Sequence, residues 1–206
     1  MDRRELLKMI ALATGAVVVG GEVFLTGCKT GAKTEAGFTA ANISLLDEIG
    51  ETILPATSSP GAKAAQIGQF MKIYVTDCYT QASQDEFTKG IVALEEACKK
   101  MHGKTFMDCT PEQRRELLLS LEKEAKEFNK GPEEKDKTLR EELKGQNKVY
   151  DFVASPKHYY TMMKQLTLLG FFTSKPGATQ ALRHVAVPGK YDGALPYKKG
   201  DKAWAE

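Results

Sequence analysis

From residue 39 onward, apolar side chains recur at three- and four-residue steps, the pattern of helices with one buried face. Ile43, Leu46, Ile49, Ile53 and Leu54 mark a first helix, and Pro55 ends it. TSSPG at 57–61 is a turn cluster. A second helix is expected from Ala62 to about Tyr79, with Ile67, Phe70, Met71, Tyr74, Val75 and Cys78 on one broad face. A third runs from about Ser83 to Met101 through Phe87, Ile91, Leu94 and Cys98. Gly103 supplies its stop.

The fourth start has the fullest signature. Thr110-Pro111-Glu112-Gln113 offers a hydroxyl at the N-cap, proline at the first helical position and Gln at the third. That helix continues through Leu117, Leu118, Leu121, Ala125 and Phe128. Residues 130–148 then mix six basic with five acidic side chains, which predicts a solvated insertion or an exposed short helix. Ser155-Pro156 predicts the opening of a fifth helix, with Tyr159, Met162, Met163, Leu166 and Leu169 inward and Gly170 at its end. The two methionines read as core filler.

No stretch alternates apolar and polar residues over strand length, so the expected fold is all-α. It is an irregular bundle of about five helices with an extended C-terminal arm. In the arm, GFFTSKPGATQALRHVAVPGKYDGALPYKKGDKAW, prolines and glycines leave room for one short helix within Gly177–Arg183. Its aromatics Tyr191, Tyr197 and Trp204 predict that the arm packs on something. The boundaries are a leader at 1–27, a flexible linker at 28–38, the helical domain at 39–170 and the arm at 171–206.

The leader, MDRRELLKMIALATGAVVVGGEVFLTGC, changes the picture. Arg3-Arg4 before an apolar run resembles the twin-arginine export signal. Glycines dilute the run, which suits that route. Leu25-Thr26-Gly27-Cys28 is similar to the bacterial lipobox, where Cys28 takes lipid and the chain is cleaved before it. The competing reading is an uncleaved anchor helix. A span needs roughly 20 apolar residues, and Glu22 interrupts this run. The expected product is an exported protein held at a membrane by lipid.

Charge adds little. The chain carries 29 basic and 27 acidic residues, a net +2. The leader holds three of each sign, so its removal leaves the net unchanged. This balance gives no reason to expect nucleic acid as a partner. Four cysteines are present, and no two have the Cys-x-x-Cys spacing of redox or cluster sites. For Cys78, Cys98 and Cys109 three readings stay open. One is a disulfide between Cys98 and Cys109, since an exported protein meets an oxidising compartment. Another is a zinc site using Cys98, His102 and Cys109, although paired zinc-ligand spacing is missing. The last is inert buried thiols.

The C-terminal region carries a resemblance. Gly170-Phe171-Phe172-Thr173-Ser174, Gly177-Ala178-Thr179-Gln180-Ala181-Leu182-Arg183 and Val187-Pro188-Gly189-Lys190-Tyr191-Asp192-Gly193 resemble the signature of the gluconate 2-dehydrogenase subunit 3 family. Ile53-Leu54-Pro55, the turn at Ser59-Pro60-Gly61-Ala62, and Gly103-Lys104-Thr105-Phe106 before the capped helix are similar to its earlier pieces. The chain departs from the family pattern at Lys175-Pro176 and at Ala194. The resemblance implies a non-catalytic subunit beside a large FAD-containing dehydrogenase of the glucose-methanol-choline type, which oxidises a sugar or sugar acid. A cytochrome subunit carrying haem c is the implied electron acceptor. Phe172, Thr173, Ser174, Gln180, Arg183, Tyr191, Tyr197 and Trp204 are then the candidate partner contacts.

The chain's own motifs agree with a non-catalytic role. No Gly-x-Gly-x-x-Gly follows a strand, and no Gly-x-Ser-x-Gly or phosphate-loop pattern occurs. No catalytic, cofactor-binding or metal-binding residue is assigned to it. The alternative reading is a solitary membrane-anchored lipoprotein that binds a ligand in a helical groove.

Overall fold

The computed structural model describes residues 38–187, 189 and 192–205. The leader with Arg3, Arg4 and Cys28, and most of the linker, lie outside the described residues. Among the described residues, five α-helices follow in order: α1 Ala40–Ile53, α2 Ile67–Cys78, α3 Gln81–His102, α4 Pro111–Gly145 and α5 Tyr159–Thr173. The fold is all-α. Among the described residues the β-pairing is an isolated bridge between Arg183 and Trp204.

Helix starts follow the caps. The Thr39, Thr80 and Thr110 hydroxyls accept the N–H groups of Asn42, Ser83 and Gln113. At Thr110 the Gln113 side chain accepts the Thr110 N–H in return, at 3.1 Å. The inward faces of α3 and α5 bury Phe87, Ile91, Leu94, Met163, Leu166 and Phe171. Phe38, just before α1, stacks on Phe87 at 6.0 Å.

Glycine sets how closely α5 approaches. A Cβ on Gly90 would sit 2.1 Å from Tyr159 Cβ, and one on Gly170 would sit 2.5 Å from the Phe70 ring. Side chains at either point would force α3 or α2 away from α5. The last turn of α2 differs from the sequence pattern, for Cys78 is exposed there.

Three elements depart from the periodicity. The second predicted helix breaks into a 3-10 turn, Ala62–Ala65, and α2. Gln66 between them is left-handed at φ 53°. Asp47 on α1 accepts the Gly68 N–H at 2.8 Å and fixes the new start. The charged stretch 130–148 does not form a separate insertion. Residues 130–145 extend α4 through Pro132. The returning chain secures this extension: Asp136 accepts the Ser155 N–H at 3.0 Å, and Arg140 lies 4.3 Å over the Phe152 ring.

The third departure is the start of α5. Ser155-Pro156 does not open it, because Asp136 and Asn129 hold residues 155–158 extended along α4. The cap is His158 instead. Its Nδ1 accepts the Tyr160 N–H at 3.2 Å, so the ring proton belongs on Nε2. Nε2 lies 3.9 Å from a Glu124 carboxylate oxygen. The ring is buried, stacked on Tyr159 at 4.2 Å and edge-on to Phe128 at 5.4 Å. Burial holds its pKa below 6.5, against the opposing pull of Glu124 and Glu86.

This cap makes stability depend on pH. The unfolded chain takes up a proton on His158 as pH falls through about 6.5, while the folded chain resists it. Stability is therefore complete above about 6.5 and declines as pH falls toward the folded-state value. Asparagine keeps an acceptor at the cap without titrating there. Urea unfolding of His158→Asn between pH 5 and 7 is expected to show a flatter slope than wild type, an interval set by the reference histidine value. Parallel slopes would contradict this account.

Candidate functional site: a C-terminal clasp

The end of α5 is shaped by its own polar residues. The Thr173 hydroxyl donates to the Leu169 carbonyl at 2.7 Å. The Ser174 hydroxyl donates to the Phe171 carbonyl at 2.6 Å and accepts the Gly177 N–H at 3.2 Å. The chain then makes a π-helical turn over Gly177–Ala181. A Cβ on Gly177 would lie 1.9 Å from the Phe171 carbonyl oxygen, so glycine is required there. Phe171 is buried, whereas Phe172 is exposed.

Beyond this turn the chain leaves the bundle and returns. The Arg183 N–H donates to the Ala203 carbonyl at 2.8 Å, and the Ala205 N–H donates to the Arg183 carbonyl at 3.1 Å. The Arg183 guanidinium lies 3.9 Å over the Trp204 ring. Lys202 Nζ donates to the Gln180 carbonyl. These contacts clasp residues 184–203 into a loop closed at its base. Within it Asp192 accepts the Ala194 N–H at 3.0 Å, and Asp201 accepts the Lys198 N–H at 3.0 Å. Val187 and Tyr197 are about four-fifths exposed, at 80% and 79%.

The predicted contact residues therefore fall into two groups. Phe172, Thr173, Gln180 and Tyr197 are exposed, the first three near the end of α5 and Tyr197 on the loop. Ser174, Arg183 and Trp204 serve the turn and the clasp. Tyr191 lies outside the described residues. The clasp pairing was not visible in the sequence. Arg183 and Trp204 have no spacing that marks a pair, and only the returning chain joins them.

A separate open groove of about 270 Å³ runs between α4 and α5. Five of its polar side chains bond one another or the backbone within the fold. Lys164 and Lys126 share the Glu122 carboxylate at 3.0 and 3.4 Å. The Lys164 contact leads in holding the Glu122 carboxyl below its usual range. Asn129 donates to Thr161 at 2.9 Å and accepts the His158 N–H at 2.9 Å.

Cys98 and Cys109 come together, with sulfurs 3.4 Å apart and both thiols buried. His102 does not join them: its Nε2 lies 3.1 Å from the Gln113 carbonyl oxygen. Among the described residues, no group of three or more His, Cys, Asp or Glu side chains is placed to hold a metal ion. Among them also, no helix is long and apolar enough to cross a membrane.

The clasp has a measurable role. A cation–π contact of this exposure contributes about 0.5–1 kcal/mol. Trp204→Ala is expected to speed limited proteolysis within 184–203 by about threefold, with the thermal midpoint of the bundle unchanged. Tyr197→Ala, outside the clasp, is expected to leave the cleavage rate as it is. Equal rates for all three proteins would contradict a clasp.

No curated protein and no solved structure matches the chain. A family model described as gluconate 2-dehydrogenase subunit 3 does match, over residues 40–189. That interval runs from the first residue of α1, through the whole bundle and the π-helical turn, into the clasped loop. With about three quarters of its length matched, the chain belongs to the gluconate 2-dehydrogenase subunit 3 family.

Proposed function

We propose that this protein is the non-catalytic accessory subunit of a flavin-dependent sugar or sugar-acid dehydrogenase. The observation that carries the reading is the family match over the bundle and the start of the arm. The partner is a large FAD-containing oxidoreductase of the glucose-methanol-choline type, and a cytochrome with haem c takes its electrons. The substrate pocket and the redox chemistry lie in those subunits. This chain contributes a rigid helical body, a surface and an address.

The surface in this reading is the end of α5 together with the clasped loop. Leu168, Leu169 and Phe172 are exposed on α5, and Val187, Leu195 and Tyr197 are exposed on the loop. Large aromatic and aliphatic side chains of this kind supply the anchors of protein interfaces. Ser174, Gly177 and the Arg183–Trp204 clasp hold the backbone that presents them.

The address is the leader. A small helical protein has little reason of its own to cross a membrane folded. A flavoprotein does, because its cofactor is loaded before export. Arg3-Arg4 would then serve both proteins, with the flavoprotein travelling bound to this subunit. Lipid on Cys28 would keep the pair at the membrane, close to the electron acceptor.

Purification of the native assembly through a tag on this chain tests the reading. A large protein with flavin absorbance is expected to accompany it, and Arg3→Lys with Arg4→Lys is expected to leave both proteins in the cytoplasm. A tagged chain that comes alone, as a monomer, would overturn the subunit role and favour a solitary lipoprotein. A flavoprotein that still reaches the outside with the lysine pair would overturn shared export.

A further inference from the structure

The paired thiols of Cys98 and Cys109 have no part in the proposed surface, yet the fold brings them into contact. Cys98 lies in the last turns of α3, fully buried. Cys109 is the residue before the Thr110 cap of α4. The link between them is positioned by contacts that do not involve sulfur. Gly103 reverses the chain at φ 69°. Phe106 is buried in the core, and its N–H donates to the Glu95 carboxylate at 3.3 Å. Thr105 and Asp108 bond across the turn at 2.6 Å. Arg114 holds the Phe106 and Met107 carbonyls at 2.9 and 2.7 Å.

This scaffold sets the two sulfurs 3.4 Å apart. A disulfide needs about 2.04 Å, so an approach of about 1.4 Å completes it. Cys98 is fixed in a helix, while Cys109 is extended at φ −76° and ψ 149°. Cys78 is exposed at the end of α2 and is not part of the contact.

We propose that Cys98 and Cys109 form an intrachain disulfide when the chain meets a disulfide donor, either a small molecule of the glutathione type or a protein dithiol oxidant. The Cys109 thiol loses its proton and attacks one donor sulfur. A mixed disulfide forms with the attacked sulfur, and the other donor sulfur, the first to leave, departs as a thiol. The Cys98 thiol loses its proton and displaces the second donor sulfur, which also leaves as a thiol. The two protein sulfurs are oxidised, and the donor disulfide is reduced by the same two electrons and takes the two protons.

Burial, more than any neighbour, pushes the Cys98 thiol up to about 12. The thiolate needed for exchange is scarce while the link is packed. Closure therefore proceeds during folding or through opening of residues 103–110. Once made, the bond ties the end of α3 to the start of α4 and pins the turn whose carbonyls bind Arg114. The inference needs only this chain and the donor, so it stands apart from the subunit role.

The test uses the full chain, refolded from denaturant in a glutathione redox buffer, quenched and mapped by alkylation and peptide mass spectrometry. A peptide pair linked through Cys98 and Cys109 is expected, unchanged in Cys78→Ala. Its reduction is expected to lower the thermal midpoint by about 5 °C, while Cys98→Ala with Cys109→Ala shows no shift with reductant. Full alkylation of both thiols in the oxidised sample, or a bridge from either to Cys78, would overturn the proposal.

Discussion

The bundle is organised around one guanidinium. Arg114, in the first turn of α4, donates from Nε to the Phe106 carbonyl and from Nη2 to the Met107 carbonyl. Its Nη1 reaches the Glu48 carboxylate of α1. Its charge lies 5.4 Å over the Phe106 ring. Hydrogen bonds to charged groups contribute about 1.5–3 kcal/mol each, so losing the guanidinium would remove bonds to two carbonyls and a carboxylate at once. Glu48 also takes the Lys63 ammonium at 2.5 Å, and Lys63 and then Arg114 hold its carboxyl below the ordinary range. Neighbouring Glu51 accepts the N–H groups of Ala56 and Lys63 at 2.8 and 2.9 Å. A Cβ on Gly61 would lie 2.2 Å from that carboxylate and 2.6 Å from the Ala56 backbone nitrogen, so the turn admits no larger residue there. With Asp47 at Gly68, three carboxylates of α1 fix the chain from the end of α1 to the start of α2.

These polar ties position the apolar packing. α1 and α2 meet where Gly68 approaches the Ile43 carbonyl, which leaves no room for a Cβ. α5 then seats against α3 at Gly90 and against α2 at Gly170. The outcome is a tightly closed body whose last helix leads through the π-helical turn to the clasped loop. Beyond Arg183 the described chain contributes nothing to the buried core. Its order rests on one bridge, one cation–π contact, the Lys202 bond to the Gln180 carbonyl and a few turns. A segment held so lightly gains most from a partner, because docking replaces missing internal contacts.

The sequence was legible where structure is local. The capping box at Thr110 could be read because it is complete within four residues. The inward faces of α3 and α5 could be read because their apolar spacing matches the helical period, except at Leu169, which was read as inward and is exposed. The departures all depend on distant residues. Nothing within 62–79 signals that Asp47 will restart a helix at Ile67. Residues 130–148 read as a charged insertion or a short exposed helix, yet contacts of Asp136 with Ser155 and of Arg140 with Phe152 hold 130–145 as a continuation of α4. His158 looks like an ordinary packing residue until Asp136 and Asn129 straighten the chain before it. The family signature ran through the turn at Ser174 and Gly177 because its glycine and hydroxyl are used locally. The clasp of Arg183 on Trp204 was hidden for the opposite reason.

The central claim is that the bundle presents the α5 end and the clasped loop to a catalytic subunit. Hydrogen exchange on the chain alone and in its native assembly tests this most directly. The account predicts that amides in 184–203 and the last turn of α5 exchange about tenfold more slowly in the assembly. Those of α1 and α3 are predicted to be unchanged. Equal exchange of the loop in both samples, with new protection on another face of the bundle, would contradict it.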